Sequence, residues 1–260
     1  MFGWETLRSK RGIEGRHRPL GYLLAFCCSC TVTPVLAQTQ PSAVIELFTS
    51  QGCSSCPPAD KLLAEMAQDS SLVTMSVPID YWDYLGWKDT LANHFNTVRQ
   101  KAYAHIRGDG QVYTPQAVVN GSVHVLGSDK GAIEHAIAKT RKAGAMSLPA
   151  LSLTVANGRI EIAAPQINDM GRSAEAWLWA LTKTATIVIT RGENKGRTIT
   201  YHNVARQRLK LGDWNGERST WSVPIQTLTG QDVDEVAVLL QSGTLEKPKM
   251  ILGAALSDIR

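Results

Sequence analysis

Residues 43–58 read AVIELFTSQGCSSCPP, from Ala43 to Pro58. The apolar run Ala43 to Phe48 has the composition of a strand, broken only by Glu46. Thr49-Ser50-Gln51-Gly52 then turns the chain into Cys53-Ser54-Ser55-Cys56. After Pro57 and Pro58 comes the helix-forming run Ala59 to Gln68. Two intervening residues bring both sulfurs within disulfide reach in one tight turn. The opening of a helix supplies free N–H groups and a positive dipole end, which favour a thiolate over a thiol. A C-x-x-C pair also forms half of many zinc sites, so the rest of the chain must decide between these uses.

The first 37 residues differ from the remainder. Arg8, Lys10, Arg11, Arg16 and Arg18 precede an apolar run from Leu20 to about Val32, and Val35-Leu36-Ala37 has the small-residue pattern of a cleavage site. This order reads as a secretory signal peptide over residues 1–37. Its apolar core is too short for a permanent span, so no stable membrane anchor is expected after cleavage. Export places the mature chain in the periplasm or outside the cell. Removing five of 27 basic and two of 23 acidic residues leaves 22 and 21, a net charge of +1. That is no nucleic-acid footprint. Cleavage also removes Cys27, Cys28 and Cys30, so of five cysteines only Cys53 and Cys56 remain. The pair is a redox centre or one short staple, and a staple across so small a loop removes little chain entropy.

Beyond the first helix, Leu72 to Ile79 is a second apolar strand. The segment DYWDYLGWKD carries Tyr81, Trp82, Tyr84 and Trp87, either as core or as a rim beside the cysteine turn. A helix is predicted over Thr90 to Ile106. Thr114-Pro115 opens an apolar strand that ends at Asn120-Gly121, a hairpin signal. Gly127-Ser128-Asp129 then caps a helix from Lys130 to about Arg141. Residues 43–142 thus read β-α-β-α-β-β-α. Glu46 is the anomaly in the first strand. It reads either as an edge residue facing water or as a candidate proton acceptor beneath the disulfide, serving Cys56.

This order resembles the thioredoxin fold, in which a cis-proline faces the C-x-x-C. The resemblance implies that Cys53 attacks, that Cys56 resolves, and that Pro115, with Thr114, holds the substrate backbone. The strings ELFTSQGCSSCPPAD, YWDYLGWKD, YTPQAVVNG and RGENKGRTITYHNVAR look closer still to one exported thioredoxin-like group, domain-of-unknown-function family 1223. That name implies a fold and export and supplies no reaction. One departure from thioredoxin is Pro57 directly after Cys56, which disfavours helical geometry at Cys56 and predicts a later helix start.

From Ala143 the composition changes. Short β-type runs recur, with an Asn157-Gly158 hairpin signal, and Trp177/Trp179/Leu181 and Val236/Val238/Leu240 alternate. The expected architecture is an α/β thioredoxin-like domain over residues 42–143, with a mixed central sheet and flanking helices, followed by an all-β sandwich-like domain over residues 149–260. The loop Arg191 to Arg197 reads as a solvated hairpin or a docking loop.

The expected function is exported thiol–disulfide oxidoreduction at Cys53 and Cys56. It needs no cofactor or metal, acts on a protein or a small thiol or disulfide, and requires a redox partner that resets the pair. Two other classes remain open. One is a non-catalytic binding module with a structural disulfide. The other is a copper-binding or metallochaperone module, for which His94, His105, His124 and His135 are the candidate third ligands.

Overall fold

The computed structural model describes residues 40–168, 173–228 and 232–259; the leader read in residues 1–37 and its three cysteines lie outside them. Strand β1 (Ala43–Thr49) is buried along its whole length. Alternation along the strand splits it between two cores. Ile45 and Leu47 face Leu62 and Leu63 of helix α1 (Pro57–Met66) and Ile133 of helix α3 (Lys130–Lys142). Val44 and Phe48 face the opposite side, where Phe48 meets Tyr103 of helix α2 (His94–Arg107) edge-on at 6.3 Å.

Local signals place the helices close to expectation. Asn93 caps α2 by accepting from Phe95 N, and Gly108 ends it at φ +77°. Asp129 caps α3 by accepting from Ala132 N. The hairpin between β3 (Gln116–Val119) and β4 (Val123–Leu126) turns on Asn120 and Gly121, both at positive φ. Helix α1 departs from expectation. Cys56 is already helical at φ −77°, ψ −35°, and its carbonyl accepts from Ala59 N and Asp60 N, so Pro57 opens the helix without delaying it. The steric preference against helix before proline is outweighed here by two hydrogen bonds to the Cys56 carbonyl.

The expected thioredoxin-like domain followed by an all-β sandwich-like domain is overturned. One mixed sheet of eight strands runs β11-β10-β7-β8-β2-β1-β3-β4. It takes in β2 (Leu72–Pro78), β7 (Ala174–Val188), β8 (Thr198–Trp214), β10 (Glu235–Gly243) and β11 (Pro248–Asp258). The reason is an open strand edge. β1 covers one side of β2 in parallel, and β8 closes the other, with Ser76 opposite Val204. Asn203 stands at φ +50° and its Nδ2 donates to Thr74 O, which pins β8 to β2. Side chains of both halves then share one core, as Val73, Met75 and Val77 lie with Trp179, Leu181, Ala205 and Leu239. Leaving such faces open would cost about 25 cal/mol per Å² of apolar surface.

Sandwich-like packing is confined to one end. The strands β5 (Ser152–Ala156), β6 (Arg159–Ala164) and β9 (Ser219–Pro224) form a separate three-stranded sheet. Leu153, Ile160, Ile162 and Val223 pack there with Leu178, Val236, Val238 and Leu240. β7 and β8 are long, at 15 and 17 residues, in place of the short runs expected from the sequence. Their far end projects past β2. There Ile189, Ile199 and Tyr201 pack with Leu91 and Trp87. That ribbon tip brings the second half of the chain to the cysteine turn.

Candidate functional site

The turn leaves β1 at Thr49. Cys53 N donates to Ser50 O and Cys56 N donates to Cys53 O, closing two successive turns. Cys53 and Cys56 form a disulfide with S–S 2.22 Å and Cα–Cα 5.4 Å. Cys53 keeps 5% of its surface and Cys56 none, so any approach is from the Cys53 side. Cys53 Sγ lies 3.4 Å from Ser55 Oγ.

Two distant segments brace this turn. Gln51, wholly buried, donates its backbone N–H to Asp89 Oδ2 at 2.7 Å. Its side-chain Oε1 accepts from Trp87 Nε1 at 2.8 Å. From the ribbon tip, Asn194 Nδ2 donates to Gln51 O at 2.9 Å and to Cys53 O at 2.8 Å. The loop that carries Asn194 is neither a plain solvated hairpin nor wholly exposed, since Asn194 is buried while Arg191, Lys195 and Arg197 face solvent. Gly192, at φ +72°, lets this loop close on Trp87; a Cβ there would stand 3.1 Å from Trp87 Cβ.

Thr114 and Pro115 come to the same end of the sheet. Gln116 pairs with Phe48, so Pro115 falls at the level of Thr49, where the turn begins. The Thr114–Pro115 peptide is cis, as expected. Gly127 sits between Pro115 and α1, and a Cβ on it would lie 3.2 Å from Pro115 Cβ and 3.3 Å from Ala59 Cβ. Trp82 links the two parts. Its Nε1 donates to Thr114 Oγ1 at 2.7 Å, and a Cβ on Gly52 would stand 3.1 Å from Trp82 Cβ. Tyr84 stacks on Trp82, centroids 6.1 Å apart, and is 76% exposed. In the aromatic segment Trp82 and Trp87 fasten the turn, while Tyr84 is exposed and touches it only through Trp82.

Glu46 is elsewhere. It does not face water, being fully buried, and it shares the α2 face with Val44 and Phe48. Arg99 binds it through Nε at 2.6 Å and Nη2 at 3.0 Å, and Tyr103 Oη donates to it at 2.6 Å. Arg99 Nη2 also donates to Gln241 Oε1 at 2.9 Å, tying β10 into the network. Glu46 is one member of a satisfied buried ion pair on the face away from α1.

The acid beneath the cysteines is Asp60. It lies four residues after Cys56 on α1, so both side chains share one helix face, a turn apart. Its Oδ1 accepts from Thr49 Oγ1 at 2.7 Å, and its buried Oδ2 has no hydrogen-bond partner among the described residues. Burial pushes its carboxyl from 3.8 up to about 7; the Thr49 bond opposes the rise and the charge of Asp89 adds to it. Burial likewise pushes Asp89 up to about 6, against its three backbone hydrogen bonds. Tyr201 Oη, also buried and without a partner among the described residues, is raised by burial and by the charges of Asp60 and Asp89. In the sequence Asp60 shows only as a first-turn acid that complements the helix dipole. Its buried role carries no local signal, because a first-turn acid ordinarily faces water.

Among the described residues no three His, Cys, Asp or Glu side chains converge as a metal site. Of the histidines named for copper, His94 pairs with Asp80 at 2.8 Å, and His124 meets Tyr113 Oη at 3.0 Å and Asp109 at 3.2 Å. No helix is long and apolar enough to cross a membrane among the described residues.

These features define a mixed-sheet α/β protein with a braced, largely buried C-x-x-C disulfide above a buried carboxyl. The chain belongs to the family described as proteins of unknown function, DUF1223, whose model matches residues 44–241. That description carries neither a reaction nor a location. The crystal structure of a protein from Agrobacterium tumefaciens is similar at 33% identity and TM-score 0.76, covering 86% of this chain and 97% of that one. HBP35 of Porphyromonas gingivalis shares the fold at 14% identity and TM-score 0.55, covering 86% of this chain and 76% of its own. Among curated proteins, none matches.

Proposed function

We propose that the protein is an exported thiol–disulfide oxidoreductase acting through Cys53 and Cys56. The observation that carries this reading is Asp60. A disulfide that serves only as a staple needs no acid beneath it. Burying a carboxyl with one oxygen unpartnered costs free energy, and such groups concentrate where protons must move. Placed one turn below Cys56, Asp60 can take the Cys56 proton and return it.

In one of its two directions, the Cys53 thiolate attacks a substrate disulfide, breaks its S–S bond, forms a mixed disulfide and expels the other substrate sulfur as a thiolate, which takes a proton from solvent. Asp60 accepts the Cys56 proton, and the resulting thiolate attacks Cys53 Sγ and releases the substrate thiol. Thr114 and Pro115 border the substrate where it meets the turn. No cofactor enters this cycle, and a second redox partner resets the pair.

The test is trapping in cells. Cys56→Ser is expected to accumulate mixed disulfides through Cys53, recovered from the periplasmic or secreted fraction. Cys53→Ser is expected to trap none. If neither variant traps a partner across a range of redox conditions, the pair is a staple and the protein a binding module. Adducts found only in the cytoplasm refute the location.

A further inference from the structure

We propose that Cys53–Cys56 works as an electron donor: its dithiol reduces substrate disulfides, and an external dithiol reductant restores it. This rests on the oxidoreductase reading and adds the direction. In the step, the substrate S–S bond breaks and the Cys53–Cys56 S–S bond forms. Two electrons and two protons pass from the cysteine pair to the two substrate sulfurs. In the resetting step the external dithiol becomes a disulfide and the pair regains both protons.

The first support is the brace. Asp89 holds Gln51 N, Asn194 holds both Gln51 O and Cys53 O, and Trp87 holds the Gln51 side chain. Gln51, Asp89 and Asn194 are all buried. None of these bonds involves a sulfur, so reduction leaves them in place. The two thiols then stay near bonding distance, and an intramolecular pair so held has a high effective concentration for ring closure. That favours the disulfide over the dithiol, which defines a reductant.

Charge is the second support. A strongly oxidising pair needs its thiolate stabilised. Here the ionisable groups beneath the turn are Asp60 and Asp89, whose charged forms oppose a thiolate, and Tyr201, which burial keeps neutral at pH 7. The buried cation Arg99 is bound to Glu46 on the other face of β1. Lys61, Lys88, Arg191, Lys195 and Arg197 are exposed, as is Glu193, and solvent charges are screened over about 8 Å at physiological salt.

The experiment equilibrates the full-length protein with glutathione buffers, and separately with dithiothreitol, at pH 7. Alkylation and mass spectrometry read the dithiol fraction. The pair is expected to stay a disulfide in glutathione mixtures that are mostly reduced, and to open with dithiothreitol. Asn194→Ala is expected to shift the equilibrium about tenfold toward the dithiol, or about 30 mV for a two-electron couple. Asn194→Ser, which keeps a donor, is expected to shift it less. A pair that is half reduced in ordinary glutathione mixtures overturns the direction alone. Folded Asn194→Ala and Asn194→Ser proteins with the wild-type equilibrium overturn the brace argument. A folded protein whose pair equilibrates with neither reagent overturns this inference and the function beneath it together.

Discussion

Replacing Asp60 with asparagine separates the role of the buried acid from the fold that holds it. The wild-type carboxyl rises from 3.8 to about 7, so at about 1.4 kcal/mol per pH unit its ionisation costs the folded state about 4 kcal/mol. The sign follows from linkage. A folded value above the unfolded one means the advantage of the protonated form is complete below 3.8 and is lost as pH rises to about 7. Asparagine never ionises. Its Oδ1 still accepts from Thr49, but its NH₂ meets the place where Oδ2 has no partner. An unsatisfied buried donor costs about 1–3 kcal/mol. The variant is thus expected to be more stable than wild type by about 1–3 kcal/mol at pH 8, and equal or less stable at pH 4. Urea unfolding at both values, with the disulfide intact, measures this. Asp89 titrates in both proteins, so the difference reports Asp60 together with its charge coupling to Asp89. A stability difference that does not change between pH 4 and pH 8 refutes the assignment of the raised carboxyl to Asp60. Under the proposed mechanism the same variant exchanges disulfides more slowly near pH 7, and more stable but slower is a pairing that a purely structural acid does not give.

Arg99→Met leaves Glu46 buried without its cation and is expected to destabilise the protein by about 3–5 kcal/mol, read from urea unfolding. Adding Glu46→Leu is expected to recover most of that loss; a double variant as unstable as the single would show that the ion pair is not the source. Tyr84→Ala removes an exposed ring, so its stability is expected to stay within about 0.5 kcal/mol of wild type. It is expected to slow exchange with a protein disulfide while leaving a small disulfide unaffected, and equal rates on both would remove Tyr84 from the substrate rim.

What was legible in the sequence is what neighbours in sequence decide. The β1 strand, the turn, both Asn-Gly hairpins, the Asp129 cap and the cis bond before Pro115 each rest on a few adjacent residues. The sheet order rests on pairings that no local pattern carries. β8 joins β2 around one register pair, Ser76 with Val204, which no local pattern announces. The register shifts opposite Ala176/Trp177 and Ala180/Leu181 leave Leu211 and Arg206 as extra residues in β8, and each breaks the alternation along that strand. Glu46 announced itself as an anomaly, but its partner Arg99 lies 53 residues on, in a helix where it reads as an ordinary surface cation. Asn194 was visible only as one polar residue in a charged loop, and its target is 141 residues upstream.

That last separation has a consequence in time. Ribosomes add about 5–20 residues per second. The 141 residues between Cys53 and Asn194 therefore take roughly 7–28 s to appear. Throughout that interval the nascent chain carries a C-x-x-C dithiol whose turn lacks its clamp, because the ribbon tip does not yet exist. The cysteines are made early and become a braced pair late. A pause in translation between codons 57 and 194 lengthens the period in which an unclamped thiol pair meets its surroundings.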